Sequence, residues 1–263
     1  MSSTIDFDKA TGNAIERAYL TSDIIEQRAT VLAALDLKPG EHALDVGPGP
    51  GLLLQEVAQR VGAGGRAVGV DLSEPMLELA RRRCAELAWV ELDVADAAAL
   101  PYEAESFDAI VSTQVYEYVA DIPAAFAKLF EITRPGGRVA ILDTDYDSLV
   151  LFSEDPVRQA RVLEAWDLHF VHGGLPRILG PELRNAGFDV RSTTAIPIVN
   201  TGWNADEFSF HLVPMMSSFA AGSGVVSKED AKGWLAEMQQ LGAEGRYFFS
   251  LNRYLVIADK ASG

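Results

Sequence analysis

The sequence predicts an α/β fold, a doubly wound, mostly parallel sheet with helices on both faces. Three observations carry the prediction. Apolar runs of strand length alternate with amphipathic runs of helix length from about residue 40 to about residue 195. The run Phe107–Gln114 lacks the period-two alternation of a half-exposed strand, as befits a strand covered on both faces. The first strand run opens directly into a glycine loop, and the next two end on or near aspartates.

In chain order, TSDIIEQRATVLAALDL (21–37) reads as a helix. Thr21, Ser22 or Asp23 can cap it, and Ile24, Val31, Leu32 and Leu35 line one side. KPGE ends it, HALDV (42–46) is a short apolar strand, and GPGPG (47–51) is the turn. LLLQEVAQRVG is a helix stopped at Gly62, and RAVGVD is a strand ending on Asp71. Residues 73–88 form the next helix, with Ser73 as cap and Met76, Ala80, Cys84 and Leu87 as its apolar stripe. WVELDVAD is a strand ending near Asp96. FDAIVSTQ is the following strand, IPAAFAKLFEIT a helix, RPGG a turn and RVAILDTD another strand.

Beyond residue 150 the pattern loosens. DPVRQARVLEAWDLHFV is a helix, and PELRNAGF leads into DVRSTTAIPIVN. Residues 201–244 read as irregular apart from a helix at KEDAKGWLAEMQQLG. RYFFSLNRYLVIAD, rich in aromatic and β-branched residues, reads as a long final strand. The stretch 201–244 is then an insertion between the last two strands, a natural place for a cap.

Composition narrows the function classes. The 263 residues fit one large domain, or one domain with an inserted cap, and 48% hydrophobic content supplies a substantial core. A formal net charge of −16 repels nucleic acid over most of the surface. The densest basic run, Arg81–Arg83, reads as a solvated helix face. Cys84 is the only cysteine, which leaves no intramolecular disulfide and no thiolate metal cluster; a buried small hydrophobe is its simplest role. No metal is expected. The polar, acidic first residues do not read as a signal peptide and no apolar run is long enough to span a bilayer, so a cytoplasmic protein with no membrane partner is the expectation.

In an open parallel sheet, ligands bind beyond the carboxyl ends of the strands at the switch point. The glycine loop, Asp71 and Asp96 all fall there. A carboxylate at the end of the second strand suits a ribose diol, because it accepts two hydroxyl hydrogen bonds. Asp96 can accept from an adenine amino group while the Ala97 N–H donates to a ring nitrogen. A dinucleotide loop reads GxGxxG with a helix N-terminus aimed at pyrophosphate. Here the spacing is GxGxG, with Asp45 just before it. That carboxylate disfavours pyrophosphate and tolerates an ammonium or a cationic sulfur.

Five motifs in order resemble those of class I S-adenosylmethionine-dependent methyltransferases, in the small-molecule branch that includes the ubiquinone and menaquinone enzymes. They are LDVGPGPG, VGVDLSEPML, DAAALPYEAESFDAIVS, RPGGRVAILD and LRNAGF, within about residues 40–195. The resemblance implies S-adenosylmethionine as cofactor. It implies that Gly47, Pro48 and Gly49 pass under the methionine part and that Asp71 holds the ribose. Leu72 and Met76 would lie beside the adenine, Asp96 and Ala97 at its edge, and Gln114 near the sulfonium. The implied fold is Rossmann-like with a seven-stranded sheet, divided into an N-terminal helical lid (1–38), a cofactor-binding core (39–200), the cap (201–244) and a final core strand (245–263).

The implied reaction is methyl transfer to a nucleophile on a small molecule. A cofactor-retaining cyclase-like enzyme and a nicotinamide oxidoreductase are the alternatives. The family often has Glu-His after the fourth strand; here the run is YEYV, Tyr116–Val119. A general base is required only for a hydroxyl or a protonated amine acceptor. Tyr19, His169 and His172 are the candidates for it. The two histidines lie near a helix end, where the helix dipole alone favours them. Trp203, Phe208, Phe210, Met215 and Met216 serve as core, as pocket wall, or both. The acceptor, the atom methylated and the oligomeric state are not written in the sequence.

Overall fold

The computed structural model describes residues 9–262. The first eight residues of the expected lid lie outside the described residues. A seven-stranded sheet runs in the order β3-β2-β1-β4-β5-β7-β6. Its strands are β1 His42–Val46, β2 Arg66–Asp71, β3 Val90–Val94, β4 Phe107–Thr113, β5 Thr133–Leu151, β6 Asp189–Asn200 and β7 Phe249–Asp259. All neighbours pair in parallel except β7, which runs antiparallel between β5 and β6.

Helices cover both faces because the central strands are apolar on both. Leu44, Val46, Ile110 and Ile141 pack under α5 (Ile122–Ile132) and α7 (Pro176–Asn185). Ala43, Ala109, Val111 and Leu142 pack under α2 (Ser22–Leu35) and α3 (Leu52–Val61). Between β2 and β3 lies α4 (Glu74–Arg83), capped by the Ser73 hydroxyl, which accepts from the Met76 N–H at 3.3 Å.

Three departures from the sequence expectation matter for the site. First, a helix α1, Lys9–Ala18, precedes Tyr19, so Tyr19 stands between two helices rather than before the first. Gly12 and Asn13 are poor helix formers; contacts with α4 and the helix α8 described below hold this segment. Second, β5 is 19 residues long and contains RPGG as a bulged stretch instead of starting after it. Its far half pairs with β7 out to Leu151↔Phe249. Third, the stretch read as irregular contains a helix α8, Phe208–Ser223, before α9, Lys228–Ala243. Pro214 inside α8 and its nearly all-round apolar character mask the helical period.

These two helices and α6 (Pro156–Asp167) enclose a second core, with Val162, Trp166, Val213, Met216, Trp234 and Met238 packed on the long ends of β5 and β7. The insertion also meets the N-terminal helices. Asp23 accepts from the Asn200 amide and the Phe208 N–H, each at 3.0 Å, and the Ser22 N–H donates to Asp206 at 3.1 Å. No described helix is long and apolar enough to cross a membrane.

Candidate active site

At the switch between β1 and β4, the strand ends open into a cavity of about 550 Å³. All nine residues expected to bind the cofactor line it: Gly47, Pro48, Gly49, Asp71, Leu72, Met76, Asp96, Ala97 and Gln114. The glycine loop reaches this shape because Gly47, Gly49 and Gly51 have φ of 73°, 52° and 79°, a region that L side chains enter at a cost. A Cβ on Gly47 would sit 2.2 Å from Val115 Cγ2, whereas one on Gly49 would meet no atom within 4 Å. The first glycine therefore permits packing, and the second leaves the backbone open.

Asp71 ties the loop to the end of β2. One oxygen accepts from the Gly49 N–H at 3.2 Å and the other from the Ser73 N–H at 2.9 Å. Burial raises its pKa, and these backbone donors oppose the rise. Capping of α4 falls to Ser73, so Asp71 is not merely that helix's cap. Asp96 is exposed and accepts from the Ala98 N–H at 2.9 Å, which holds the turn after β3. Gln114 has φ of 60°, unusual for a side chain other than glycine, and its amide oxygen accepts from Thr144. Arg83 is not a solvated-face residue: it reaches Glu16 of α1 and donates to the Pro50 carbonyl at 2.9 Å, pinning α1 over the loop. Arg81, by contrast, pairs on the surface with Glu74.

Asp45 is 1% exposed, and neither carboxylate oxygen has a hydrogen-bond partner among the described residues. Burial, and secondarily Asp71, pushes its pKa up to about 8. An orphaned carboxyl in the cavity wall is poised to face a cation.

A smaller cavity of about 80 Å³ adjoins this one, sharing Ile15, Tyr19, Gln114 and Tyr118 with it. Its walls are Ala18, Tyr146, Trp166, His169, and Phe208, Leu212 and Met215 of α8. Glu117 and Arg253 complete it. Of the expected acid–base candidates, Tyr19 lines both cavities and His169 lines the smaller one; His172 lines neither. The His172 ring contacts the Ala120 carbonyl at 3.4 Å, and its backbone N–H donates to the Glu117 carbonyl.

The buried polar groups here, Glu117, Asp143, Thr144 and Arg253, escaped the sequence analysis as site residues. The available signals were faint: an acid in YEYV, where the family has Glu-His, and an arginine inside the apolar final strand. Arg253 donates to Gln27 at 2.8 Å and Thr144 at 3.2 Å, and its guanidinium lies 4.7 Å from the Phe208 ring centre. The Asp143 carboxylate accepts from the Val115 N–H at 3.1 Å, which fixes the chain just after Gln114.

Residues 44–141 match the methyltransferase domain family. Together with the sheet order and the loop geometry, this match over residues 44–141 fits the resemblance to class I S-adenosylmethionine-dependent methyltransferases. Demethylmenaquinone methyltransferase of Symbiobacterium thermophilum is 35% identical over 142 residues, which is 52% of this chain and 57% of that protein. The chain spans about half to two thirds of the length of the curated relatives it matches. Among solved structures, phosphoethanolamine N-methyltransferase 2 of Haemonchus contortus, in complex with S-adenosyl-L-methionine, superposes with TM-score 0.63 at 18% identity. That match covers 98% of this chain and 61% of that one. The cyclase SpnF superposes with TM-score 0.58 at 19% identity, over 90% of this chain and 81% of that one. At these identities the structural likeness is one of fold.

The residues present fit such a cofactor. The Gly49 backbone faces open space, the Asp45 carboxyl is orphaned beside the loop, and Asp71 and Asp96 stand at successive strand ends on one cavity wall.

Proposed function

We propose that this protein transfers a methyl group from S-adenosylmethionine to a nucleophile on a small molecule. The observation that carries the reading is the single cavity gathering the glycine loop, Asp71, Asp96 and Gln114 beyond the strand ends. In this reading Gly47, Pro48 and Gly49 pass under the methionine part and Asp71 holds the ribose. Leu72 and Met76 flank the adenine, Asp96 and Ala97 bind its edge, and Gln114 borders the sulfonium. Asp45 balances the positive charge. S-adenosylmethionine, when bound, supplies an electrophilic methyl group.

The protein's own task is alignment and exclusion of water. Holding the reactants in attack geometry can lower a barrier by roughly 7–11 kcal/mol. The insertion 201–244 acts as a cap and the N-terminal helices as a lid. The Asp23 and Ser22 contacts to the insertion, and the α8 side chains in the smaller cavity, support that assignment. A small acceptor, rather than nucleic acid, suits the net charge of −16 and the narrow second cavity.

Calorimetry with S-adenosylhomocysteine and NAD tests the cofactor assignment. S-adenosylhomocysteine should bind and NAD should not; the reverse result removes the reading. Incubation with methyl-labelled cofactor and a metabolite extract should move label into a small molecule with release of S-adenosylhomocysteine. Turnover of an acceptor without that release would favour a cyclase-like enzyme.

A further inference from the structure

We propose that the smaller cavity takes the reacting hydroxyl of a flat, phenol- or enol-type acceptor, and that Glu117 removes its proton. The proposal rests on the methyltransferase reading above and adds the acceptor class and the base.

Glu117 is 1% exposed. Its carboxylate is held by the Tyr118 hydroxyl and the Thr144 backbone N–H, and Oε2 has no partner among the described residues. Its own carbonyl accepts from the Val171 and His172 N–H groups, each at 3.0 Å, so the segment is fixed from behind. Two other buried atoms of the same lining are also unpartnered, His169 Nε2 and Trp166 Nε1. His169 Nδ1 lies against the Trp166 carbonyl, which assigns the ring proton to Nδ1 and leaves Nε2 an acceptor. Three unpartnered buried atoms, two acceptors and one donor, thus belong to residues lining this cavity, among Tyr19, Tyr118, Tyr146 and Phe208. Unpaired buried polar atoms are costly, so a ligand that pairs them gains accordingly. A hydroxyl on a flat ring donates, accepts and fills the aromatic space.

Charge separates this acceptor from an amine. Arg253 is 2% exposed and lines the same cavity. A buried guanidinium favours a developing oxyanion and opposes a second cation. The groups facing Glu117 are Arg253 from β7, Asp143 and Tyr146 from β5, and Tyr19, Tyr118 and His169 around the cavity. From α8 come only Phe208, Leu212 and Met215. Burial, and secondarily the Glu117 charge, holds Asp143 well above its ordinary value. Burial also raises Glu117, to about 7, while Arg253 opposes the rise, so Glu117 becomes a carboxylate able to take a proton as pH rises through neutrality. Burial pushes His169 down to about 4, which makes it a poor base.

In the proposed step, Oε2 takes the proton and the O–H electron pair stays on the acceptor oxygen. That oxygen's lone pair then forms the bond to the methyl carbon as the carbon–sulfur bond breaks onto sulfur. Glu117 returns its proton to solvent after the product leaves.

The test uses 4-nitrophenol, whose absorbance reports its ionisation, added to the full protein with S-adenosylhomocysteine bound, and benzylamine as a cationic probe of similar shape. In the unmodified protein near pH 7, nitrophenol should bind, gain the phenolate band and outcompete benzylamine. In Glu117→Gln, S-adenosylhomocysteine affinity should stay within about twofold, and the rise of methyl transfer with pH through about 7 should disappear. Methyl transfer to a phenolic acceptor should fall by about 10²–10⁴-fold. Tighter binding of benzylamine, or no nitrophenol binding to unmodified protein that holds S-adenosylhomocysteine, overturns the proposal without any variant. An unchanged pH dependence of methyl transfer in Glu117→Gln overturns Glu117 as the base. Failure of the unmodified protein to bind S-adenosylhomocysteine would instead sink the methyltransferase reading beneath it.

Discussion

The two cavities share a wall but are built differently. The larger one takes most of its lining from one stretch, residues 45–98, with a loop held at positive φ and carboxylates at consecutive strand ends; residues 15–28 and 113–121 supply the rest. The smaller one is a property of side chains from six separate stretches, from Ile15 to Arg253. Local, contiguous sequence can encode most of the first. Only long-range packing assembles the second, so the cofactor end and the acceptor end should fail in different ways when altered.

The largest effect is expected at the acceptor end. Arg253→Met removes a buried cation that offsets Glu117 and orders Gln27 and Thr144. Loss of about 3 kcal/mol or more is expected, as for breaking a buried charge pair. At this chain length that lowers the melting temperature by about 6–12 °C. It also lifts the Glu117 pKa further, because the opposing charge is gone. S-adenosylhomocysteine affinity in the folded fraction should fall far less than stability does, since Arg253 reaches the larger cavity only through Gln27 and the Thr144–Gln114 contact; a parallel loss would show that the two ends are not separable.

At the cofactor end, Gly47→Ala places a Cβ on Val115 and forces a side chain to φ of 73°. Strain and overlap together cost about 2–5 kcal/mol. The expected result is lower stability and at least tenfold weaker S-adenosylhomocysteine binding, read by thermal melts and calorimetry. Gly49→Ala, with no atom near the new Cβ, should cost the strain alone and be the milder variant. Asp71→Ala should weaken the cofactor by about ten- to a hundredfold, the value of a charge-assisted hydrogen bond of about 1.5–3 kcal/mol. An unchanged affinity in folded Asp71→Ala would mean that Asp71 only braces the loop.

Smaller, and specific to charge, is the pH effect of Asp45. Its pKa is raised to about 8 in the protein without ligand, so it is neutral at pH 7. A cationic ligand favours its ionised form. S-adenosylmethionine affinity should therefore rise with pH up to about 8 and then level off, while S-adenosylhomocysteine, which lacks the sulfonium charge, should respond less. For the ligand-free protein the sign is opposite in stability. The folded state keeps a proton that the unfolded state releases, so stability falls as pH rises from the ordinary carboxylate range to about 8. Equal pH profiles for the two ligands would remove Asp45 from the charge balance.

The smallest expected change is Met215→Phe, which narrows the smaller cavity from α8. KM for the acceptor should rise several-fold with cofactor binding unaltered. This substitution probes the cap more cleanly than deletion of 201–244. Deletion would strip α8 and α9 from Val162, Trp166 and Phe249 and unfold the second core.

Much of this architecture was legible in the amino-acid order. The strands fall on the stretches the sequence offered, with β5 longer at both ends, and Ser73 and Gly62 bound their helices as expected. The nine expected cofactor positions meet on one cavity. The element boundaries that went astray share one cause, contacts made far along the chain. Helix α1 stands on its packing rather than its propensity. Helix α8 hides its period because it is buried from several sides. Strand β5 runs beyond RVAILDTD because β7 pairs along its length.

The sequence by itself determined the sheet, its switch point and the glycine loop that borders the larger cavity. Those depend on φ preferences, apolar periodicity and residues within one or two elements of each other. Tertiary structure alone decided which acid faces the acceptor. Glu117 looks unremarkable in YEYV, and Arg253 lies 136 positions later, past the insertion. Burial beside each other gives this pair its chemistry. A carboxylate's proton affinity depends on the solvent it has lost and the charges it has gained, and neither quantity exists until the chain has folded.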